Sequence, residues 1–239
     1  MGRQATVDLN ADVGEGYPDD EALLASVTSA NVCCGAHAGS WALSRDTLRR
    51  ALARGVRVGA HPGYPDPARF GRATLAISQA DLRESLRTQV GQLAEAAAAL
   101  GTALAYVKPH GALYHDSLAR PEVGALLLAV AEEFAGAILH APAFARRYRA
   151  TTELTLVREG FADRAYRADG GLVARGVEGA VLSEPADVRA QVAHLLDGTG
   201  PGGAVDSICV HGDSPAAAAL AREARAEVLR AGRSVKAFA

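Results

Sequence analysis

Lysine is nearly absent from this chain of 239 residues, which also has only three cysteines and no long apolar run. The longest apolar run, residues 125–131, ends at Glu132 and Glu133. It is far shorter than the roughly 18 residues that a membrane-spanning helix needs. The first residues contain no apolar core of a secretory signal. Because Cys33 and Cys34 are adjacent and the third cysteine is unpaired, we expect reduced, buried thiols in a cytoplasmic protein.

The charge is balanced, with 25 basic and 27 acidic side chains and a formal net charge of -2. This balance argues against non-specific binding of nucleic acid, and no block of like charges favours a membrane anchor. About half of the residues are apolar, 49% by composition, which is enough for a large buried core. The length fits one large domain or two small ones, and small neutral or anionic ligands stay open.

Several sequence motifs of catalysis and nucleotide binding are missing. There is no G-x-x-x-x-G-K-[ST] phosphate loop, no G-x-S-x-G nucleophile elbow, and no H-E-x-x-H or C-x-x-C zinc pattern. No dinucleotide fingerprint follows the first predicted strand. The glycine-rich residues 198–203 lack a lysine and precede a strand, which is the wrong order for a phosphate loop.

Short apolar segments alternate with longer helical patterns. We predict strands at residues 5–10, 26–31, 56–60, 104–109, 137–140, 153–159 and 207–211. We predict helices at residues 44–54, 79–100, 121–134, 186–196 and 215–231, which mostly have serine or proline near the start and glycine after the end. This alternation indicates a parallel α/β architecture. The irregular residues 161–185 predict a functional loop or a small hairpin.

Reactive side chains lie at or just after the carboxyl end of nearly every predicted strand. They are Asn10, Asp12, Asn31, His37, His61, Lys108, His110, His140, Glu159, His211 and Asp213. An open sheet would concentrate its site at one switch point, whereas a barrel draws on the ends of many strands. We therefore predict a distorted seven-stranded (β/α) barrel rather than an open sheet, as a single domain over residues 1–239.

The first strand alternates polar and apolar side chains. Asp8, Asn10 and Asp12 share one side of an extended chain, and Val7 and Leu9 take the other. Three polar groups inside a barrel are costly to bury without partners. We expect them to face a metal, a cation or a ligand.

Three further segments suggest parts of a site. Small residues flank His37 and would leave room for a substrate, and prolines follow His61 in a rigid loop. Arg72 offers a guanidinium for a carboxylate or phosphate. Lys108, which with Lys236 makes up the lysines of the chain, shares a strand face with His110. We expect the ammonium and the imidazole to lower each other's pKa and to stabilise an oxyanion.

Residues 159–166 and residues 209–213 each offer a carboxylate base, and the alternative role of Asp213 is a charge before a helix. We expect His140 and His194 to be structural and His115 to lie at the surface. Cys34 carries no motif for reactivity.

Six motifs, in order and in register, resemble the LamB/YcsF family. They are DLNADVGEG, VTSANVCCGAHAG, GAHPGYPD with FGR, VKPHGALY, EGFADRAY and VHGD, between residues 7 and 215. The resemblance implies a seven-stranded barrel of the glycoside hydrolase/deacetylase type. It also implies ATP-dependent opening of 5-oxoproline to L-glutamate, together with partner subunits B and C of a 5-oxoprolinase. The chain departs from the family pattern where Cys, Phe, Asp and Arg are usual, at Ala11, Ala36, Ser40 and Ala73.

Because the chain lacks a phosphate loop, we expect ATP to be bound mainly by the partner subunits, while this chain opens an activated lactam. The expected catalytic residues are Asp12 as general base, Glu159 as the second choice for that base, and Lys108 with His110 as stabilisers of an oxyanion or leaving phosphate. The expected substrate-binding residues are Asn10, His37, His61 and His211, with Arg72 or Arg164 for the substrate carboxylate.

Two alternatives stay open at this point. One is a metal-dependent deacetylase or amidohydrolase on the same barrel, with Asp12, His61 and His110 as ligands of a divalent ion. The other is a non-catalytic subunit that binds a small metabolite and presents it to partners. The sequence does not decide whether a metal is bound.

Overall fold

A computed structural model describes residues 6–214 and 216–238. Its strands are β1 (Thr6–Val13), β2 (Ser29–Cys33), β3 (Arg57–His61), β4 (Tyr106–Val107), β5 (Ala137–His140), β6 (Thr155–Phe161), β7 (Ser207–Val210) and β8 (Ser234–Val235). Its helices are α1 (Asp20–Leu24), α2 (Trp41–Ala53), α3 (Gln79–Ala99), α4 (Gly111–Ala119), α5 (Pro121–Phe134), α6 (Pro142–Tyr148), α7 (Pro185–Asp197) and α8 (Ala217–Arg230), with a 3-10 turn at Pro67–Arg69. None of these helices is long and apolar enough to cross a membrane.

Strands β1 to β7 form a closed parallel ring in chain order, because β1 pairs with both β2 and β7. The short β8 pairs with Thr6 and Val7 at the start of β1. The predicted seven-stranded barrel is therefore confirmed. In such a barrel the carboxyl ends of all strands open at one face.

The strand ends differ from the prediction where the site begins. Strand β1 continues to Val13, so that Asp12 lies within it and pairs in register with Asn31. The predicted start at Ala5 lies outside the described residues. Strand β4 has only two residues instead of the predicted 104–109, and Pro109, which has no N–H to donate, follows shortly after it.

The helices start where capping groups are available. Ser40 accepts a hydrogen bond from the backbone N–H of Leu43, so α2 begins at Trp41 rather than at residue 44. Helix α8 begins at Ala217, later than predicted, and Pro215 lies outside the described residues. Helices α1, α4 and α6 and strand β8 were not predicted, since each is short and lacks a side-chain cap or a clear period.

The irregular residues 161–185 fold back as a small hairpin, as predicted. Isolated antiparallel bridges join Arg164 to Val181 and Tyr166 to Leu172. This loop extends from the carboxyl end of β6 and covers one side of the barrel mouth.

Replacing Gly59 by alanine is expected to destabilise the barrel by about 1–3 kcal/mol, the usual cost of overpacking. A Cβ atom at this position would overlap the ring of Tyr106, which is fully buried. Urea titration of the free energy of unfolding measures the effect. Gly136→Ala is the matched control, because nothing lies within 4 Å of the Cβ atom it would add. Equal stability of the two variants would contradict the close contact at Gly59.

Candidate active site

A buried ammonium lies at the centre of the barrel. The Nζ atom of Lys108 is 2.7 Å from Oδ1 of Asp12 and 3.1 Å from Oε1 of Glu159, and the side chain is 2% exposed. Burial alone would lower the pKa of Lys108, but Asp12, Cys209 and Glu159 raise it well above its ordinary value. The expectation of a lowered lysine pKa was therefore wrong, because the carboxylates across the barrel outweigh the effect of burial.

A chain of hydrogen bonds fixes the position of Asp12. The hydroxyl of Tyr106 donates to Oδ1 of Asn31 over 2.7 Å, and Nδ2 of Asn31 donates to Oδ1 of Asp12 over 2.8 Å. The same Nδ2 atom donates to Asn10, whose own amide donates to Ser207. These contacts confirm that Asn10 and Asp12 point into the barrel interior.

The polar ladder begins deeper in the barrel at Asp8. Its carboxylate accepts hydrogen bonds from the hydroxyls of Thr28, Ser29 and Ser207. At the start of β1, the polar side chain that faces the barrel interior is therefore hydrogen-bonded to other protein residues. Only its last polar residue, Asp12, reaches the open end.

The two carboxylates beside Lys108 have different proton affinities. Burial alone would raise the pKa of Asp12, but His61 and Lys108 hold it well below its ordinary value. Burial raises the pKa of Glu159 by more than Lys108 lowers it, so this pKa lies above its ordinary value. A site with one ionised carboxylate and one of raised pKa is suited to proton transfer.

Two imidazoles have their ring orientation fixed by backbone carbonyls. Nδ1 of His61 lies 2.8 Å from the carbonyl oxygen of Lys108, and Nε2 of His110 lies 2.9 Å from that of Phe70. Because a carbonyl oxygen only accepts, both of these nitrogens must donate. Nε2 of His61 and Nδ1 of His110 therefore face each other across 3.0 Å. Burial, with the neighbouring His37 and His61, lowers the pKa of His110 well below its ordinary value.

Glu15 and His37 complete this imidazole cluster. Oε1 of Glu15 is 3.3 Å from Nε2 of His37, 3.8 Å from Nε2 of His61 and 3.4 Å from Nδ1 of His110. The rings of His37 and His110 stack with centroids 3.8 Å apart. Burial would lower the pKa of His37, but hydrogen bonds with Cys33 and Glu15 raise it to about 9. Gly35 and Gly39, which flank His37, leave room for the backbone of Trp41 and of Gly14 rather than for a substrate as we expected.

Within the part of the chain that the structure describes, two groups of side chains have the spacing of metal ligands. One ligand atom from each of Glu15, His37, His61 and His110 lies within 4.8 Å of the others. The second group is Asp12, Cys209 and His211. Cys209 is less suited to a metal, because burial raises its pKa well above the ordinary value and favours the thiol.

A cavity of about 470 Å³ opens above Lys108 at the carboxyl ends of the strands. This volume suits a small molecule. The predicted residues on its wall are Asp12, His61, Arg72, Lys108, His110, Arg164 and His211. Asn10, His37 and Glu159 are buried outside that wall, so their described positions offer no direct contact with a ligand in the cavity.

The mouth of the cavity is basic. Arg167 and Arg175 join Arg72 and Arg164 on its wall. Arg72 and Arg175 both pair with Asp213, which is therefore an ion-pair partner at the mouth rather than a free base. Arg164 donates to the carbonyls of Val173 and Ala180 and so holds the hairpin loop. His115 is exposed, as expected, and lies at the rim.

His211 pairs with a carboxylate behind it. Nδ1 of His211 lies 2.8 Å from Oδ1 of Asp163. The backbone N–H of His211 donates to Oδ2 of the same carboxylate over 2.9 Å. The imidazole stacks on Phe161 and faces the cavity. The sequence gave no sign of this pairing, since 48 positions separate Asp163 from His211.

The remaining candidates are structural. His140 contacts Ser117 through Nε2 and stacks between Tyr114 and Phe144, as expected. The three cysteines are free and buried. Burial raises the pKa of Cys34, which argues against a reactive thiolate.

Replacing Asp163 by asparagine should lower the free energy of unfolding at neutral pH by about 1.5–3 kcal/mol, the range for hydrogen bonds to charged groups. Burial would raise the pKa of Asp163, but His211 holds it below its ordinary value. Because the pKa of Asp163 is lower in the folded than in the unfolded chain, its ionised form stabilises the fold. This stabilisation is fully present above about pH 4, and it is lost as the pH falls through the pKa of the folded state.

The difference in the free energy of unfolding between wild type and Asp163→Asn should therefore become smaller as the pH falls. Urea titrations from neutral to acidic pH measure it, and Asp169→Asn, an exposed carboxylate of the same loop, serves as the control. A difference that widens as the pH falls would contradict the pairing.

Comparison with known proteins identifies the family. A sequence model described as the LamB/YcsF family matches residues 7–239. A Nocardia farcinica protein, named as the A subunit of 5-oxoprolinase, is 44% identical over 247 residues, which cover 97% of this chain and 99% of the relative. The crystal structure of a lactam utilization protein from Thermus thermophilus has 34% identity and a TM-score of 0.86, covering 98% of this chain and 100% of that one.

A more distant structure shows how widely the fold is shared. A family 4 carbohydrate esterase from Streptomyces lividans has a TM-score of 0.54 at 13% identity, covering 98% of this chain and 93% of that one. This likeness concerns the barrel alone and agrees with the predicted deacetylase-like fold. From the match over nearly its whole length, this chain belongs to the LamB/YcsF family.

Proposed function

We propose that this chain is the A subunit of a 5-oxoprolinase and opens the ring of 5-oxoproline to give L-glutamate. The names of its relatives point to this substrate. The observation that carries the proposal is the cavity itself, which places Asp12, Lys108 and His211 around a space for one small molecule below a basic mouth. An anionic five-membered lactam suits this charge and size.

We assign the ATP chemistry mainly to partner subunits B and C. The lactam amide is stabilised by resonance, so its hydrolysis needs activation, and transfer of a phosphoryl group from ATP to the lactam oxygen would supply it. This chain has no phosphate-loop motif. The arginines at the mouth suit a ligand that carries both a carboxylate and a phosphate.

The ring opening can be written so that its atoms balance. Water adds to the activated ring carbon, which then bears a hydroxyl, the phosphate and the ring nitrogen. The bond between carbon and nitrogen breaks as the nitrogen gains a proton, and the product is γ-glutamyl phosphate. A second water displaces phosphate and leaves glutamate.

Asp12 is our first choice for the base that takes a proton from water. It lies on the cavity wall and is ionised, although its low pKa limits its strength as a base. Glu159 has the higher pKa but lies outside the wall, and it remains the second choice. Lys108 stabilises negative charge on the attacked centre and on the leaving phosphate. His110, which we expected to share this role, donates its ring N–H to the Phe70 carbonyl and has a pKa well below its ordinary value, so we give it no part in that stabilisation.

His211 is the group that we assign to the ring nitrogen. Asp163 lies behind its Nδ1 atom, so the imidazole can present Nε2 to the cavity as a proton donor. Arg72 is our choice for the substrate carboxylate, since Arg164 donates to the backbone of the hairpin loop. We assign His61, which lines the same cavity, to orienting the ligand.

Asp12→Asn and Lys108→Met should each lower glutamate formation by about two to four powers of ten, the range for the loss of an acid–base group. The measurement is glutamate release by the complex of this chain with subunits B and C in the presence of ATP. Asp187→Asn and Lys236→Met are the matched controls, because both side chains are exposed. Circular dichroism checks that each variant is folded.

Near-normal glutamate formation by both site variants would reject these roles and favour a non-catalytic binding subunit. Omitting ATP or the partner subunits should abolish glutamate formation. Release of glutamate from 5-oxoproline by this chain alone would contradict the assignment of ATP chemistry to the partners.

A further inference from the structure

We propose that Glu15, His37, His61 and His110 bind one divalent transition-metal ion of the zinc class at the floor of the cavity. One ligand atom from each lies within 4.8 Å of the others. The inference concerns the binding of the ion and does not rest on the proposed function.

The backbone around two of the imidazoles orients them as metal ligands are oriented. Metal-binding histidines almost always donate their other ring N–H to a carbonyl or carboxylate. His61 donates in this way to the carbonyl of Lys108, and His110 to that of Phe70. The nitrogens left without hydrogen in the neutral rings are Nε2 of His61 and Nδ1 of His110, which are the two that converge.

The convergence of these nitrogens requires a positive charge between them. Two lone pairs 3.0 Å apart repel each other unless a proton or a metal ion lies between them. Glu15 adds a carboxylate oxygen 3.4 Å from the nearer nitrogen. All of these side chains are buried, so water does not screen the repulsion. One metal ion can accept lone pairs from all three imidazole nitrogens and from the carboxylate, whereas one proton can be shared by only two of these atoms.

The protein holds the rings in place at a cost to its backbone. Phe70 is the non-glycine residue with a positive φ, 55°, in the part of the chain that the structure describes. This conformation is strained for a bulky residue, and it is the Phe70 carbonyl that faces His110. A Cβ at Gly63 would lie 2.8 Å from Nδ1 of His37, and one at Gly71 would lie 3.2 Å from the His110 ring. Both glycines therefore leave room for the stacked imidazoles.

The chemistry of the donors selects the kind of ion. Three imidazole nitrogens and one carboxylate suit Zn²⁺ and its neighbours, whereas Mg²⁺ and Ca²⁺ prefer oxygen ligands. Asp12 borders this set, since its Oδ2 atom lies 3.4 Å from Nε2 of His61, while Lys108 and Asn31 hold its Oδ1 atom. The cluster of four has Glu15 where the sequence indicated Asp12. His61 and His110 line the cavity, so the ion can reach its site from there.

Titration of the isolated, chelator-stripped chain tests the proposal without substrate, ATP or partners. Zn²⁺ and Mg²⁺ binding are followed by calorimetry, and Co²⁺ binding by its visible spectrum, which reports nitrogen and oxygen ligation. We expect one Zn²⁺ per chain, bound far more tightly than Mg²⁺. Glu15→Gln and His61→Gln should each weaken Zn²⁺ binding by at least about tenfold, since even indirect partners of a metal have effects of that size. His194→Gln, which alters an exposed histidine on α7, should bind as wild type does.

Absence of Zn²⁺ and Co²⁺ binding to the wild-type chain would overturn the proposal, as would tighter binding of Mg²⁺. Unchanged affinity in both site variants would also overturn it. Urea unfolding without metal checks that each variant folds, and His37→Gln replaces any variant that does not. Because no activity is measured, failure here leaves the test of lactam opening intact.

Discussion

The interior of this barrel depends on one buried positive charge. Moving an ammonium out of water costs several kcal/mol even after the protein relaxes, and only well-placed partners offset that cost. Lys108 finds them in Asp12 from β1 and Glu159 from β6. Loss of the ammonium would leave both carboxylates uncompensated, so the same pairings that stabilise the fold also set the proton affinities of the site.

The parallel barrel explains why these partners can meet. Its strands all end at one face, and side chains from β1, β6 and β7 converge there although they are distant in sequence. A flexible, compact ammonium reaches across that space, whereas a planar guanidinium prefers a paired carboxylate geometry. This difference accounts for a lysine inside a chain whose other basic residues are, apart from Lys236, arginines.

The sequence predicted the fold well because its signals are local. Alternation in β1 and the polar residues after each strand pointed to a barrel, and the motifs added the family. Contacts across the barrel have no such signal. Glu15 follows a glycine in a turn, and only the folded chain places it beside three histidines. The raised pKa of Lys108 was missed for the same reason, since its strand neighbour His110 was considered and the opposite carboxylates were not.

The charge on Lys108 can be measured directly, because Lys236 is the other lysine of the chain. Protein labelled with ¹³C-lysine gives one signal for each side chain, and Lys236→Arg assigns them. A pH titration by NMR, with a chelator present to keep metal away, then compares the two ammonium groups. Lys108 should remain charged at a pH above the ordinary lysine value of about 10.4. Loss of its proton below that pH would contradict the ion pairs on which the site depends.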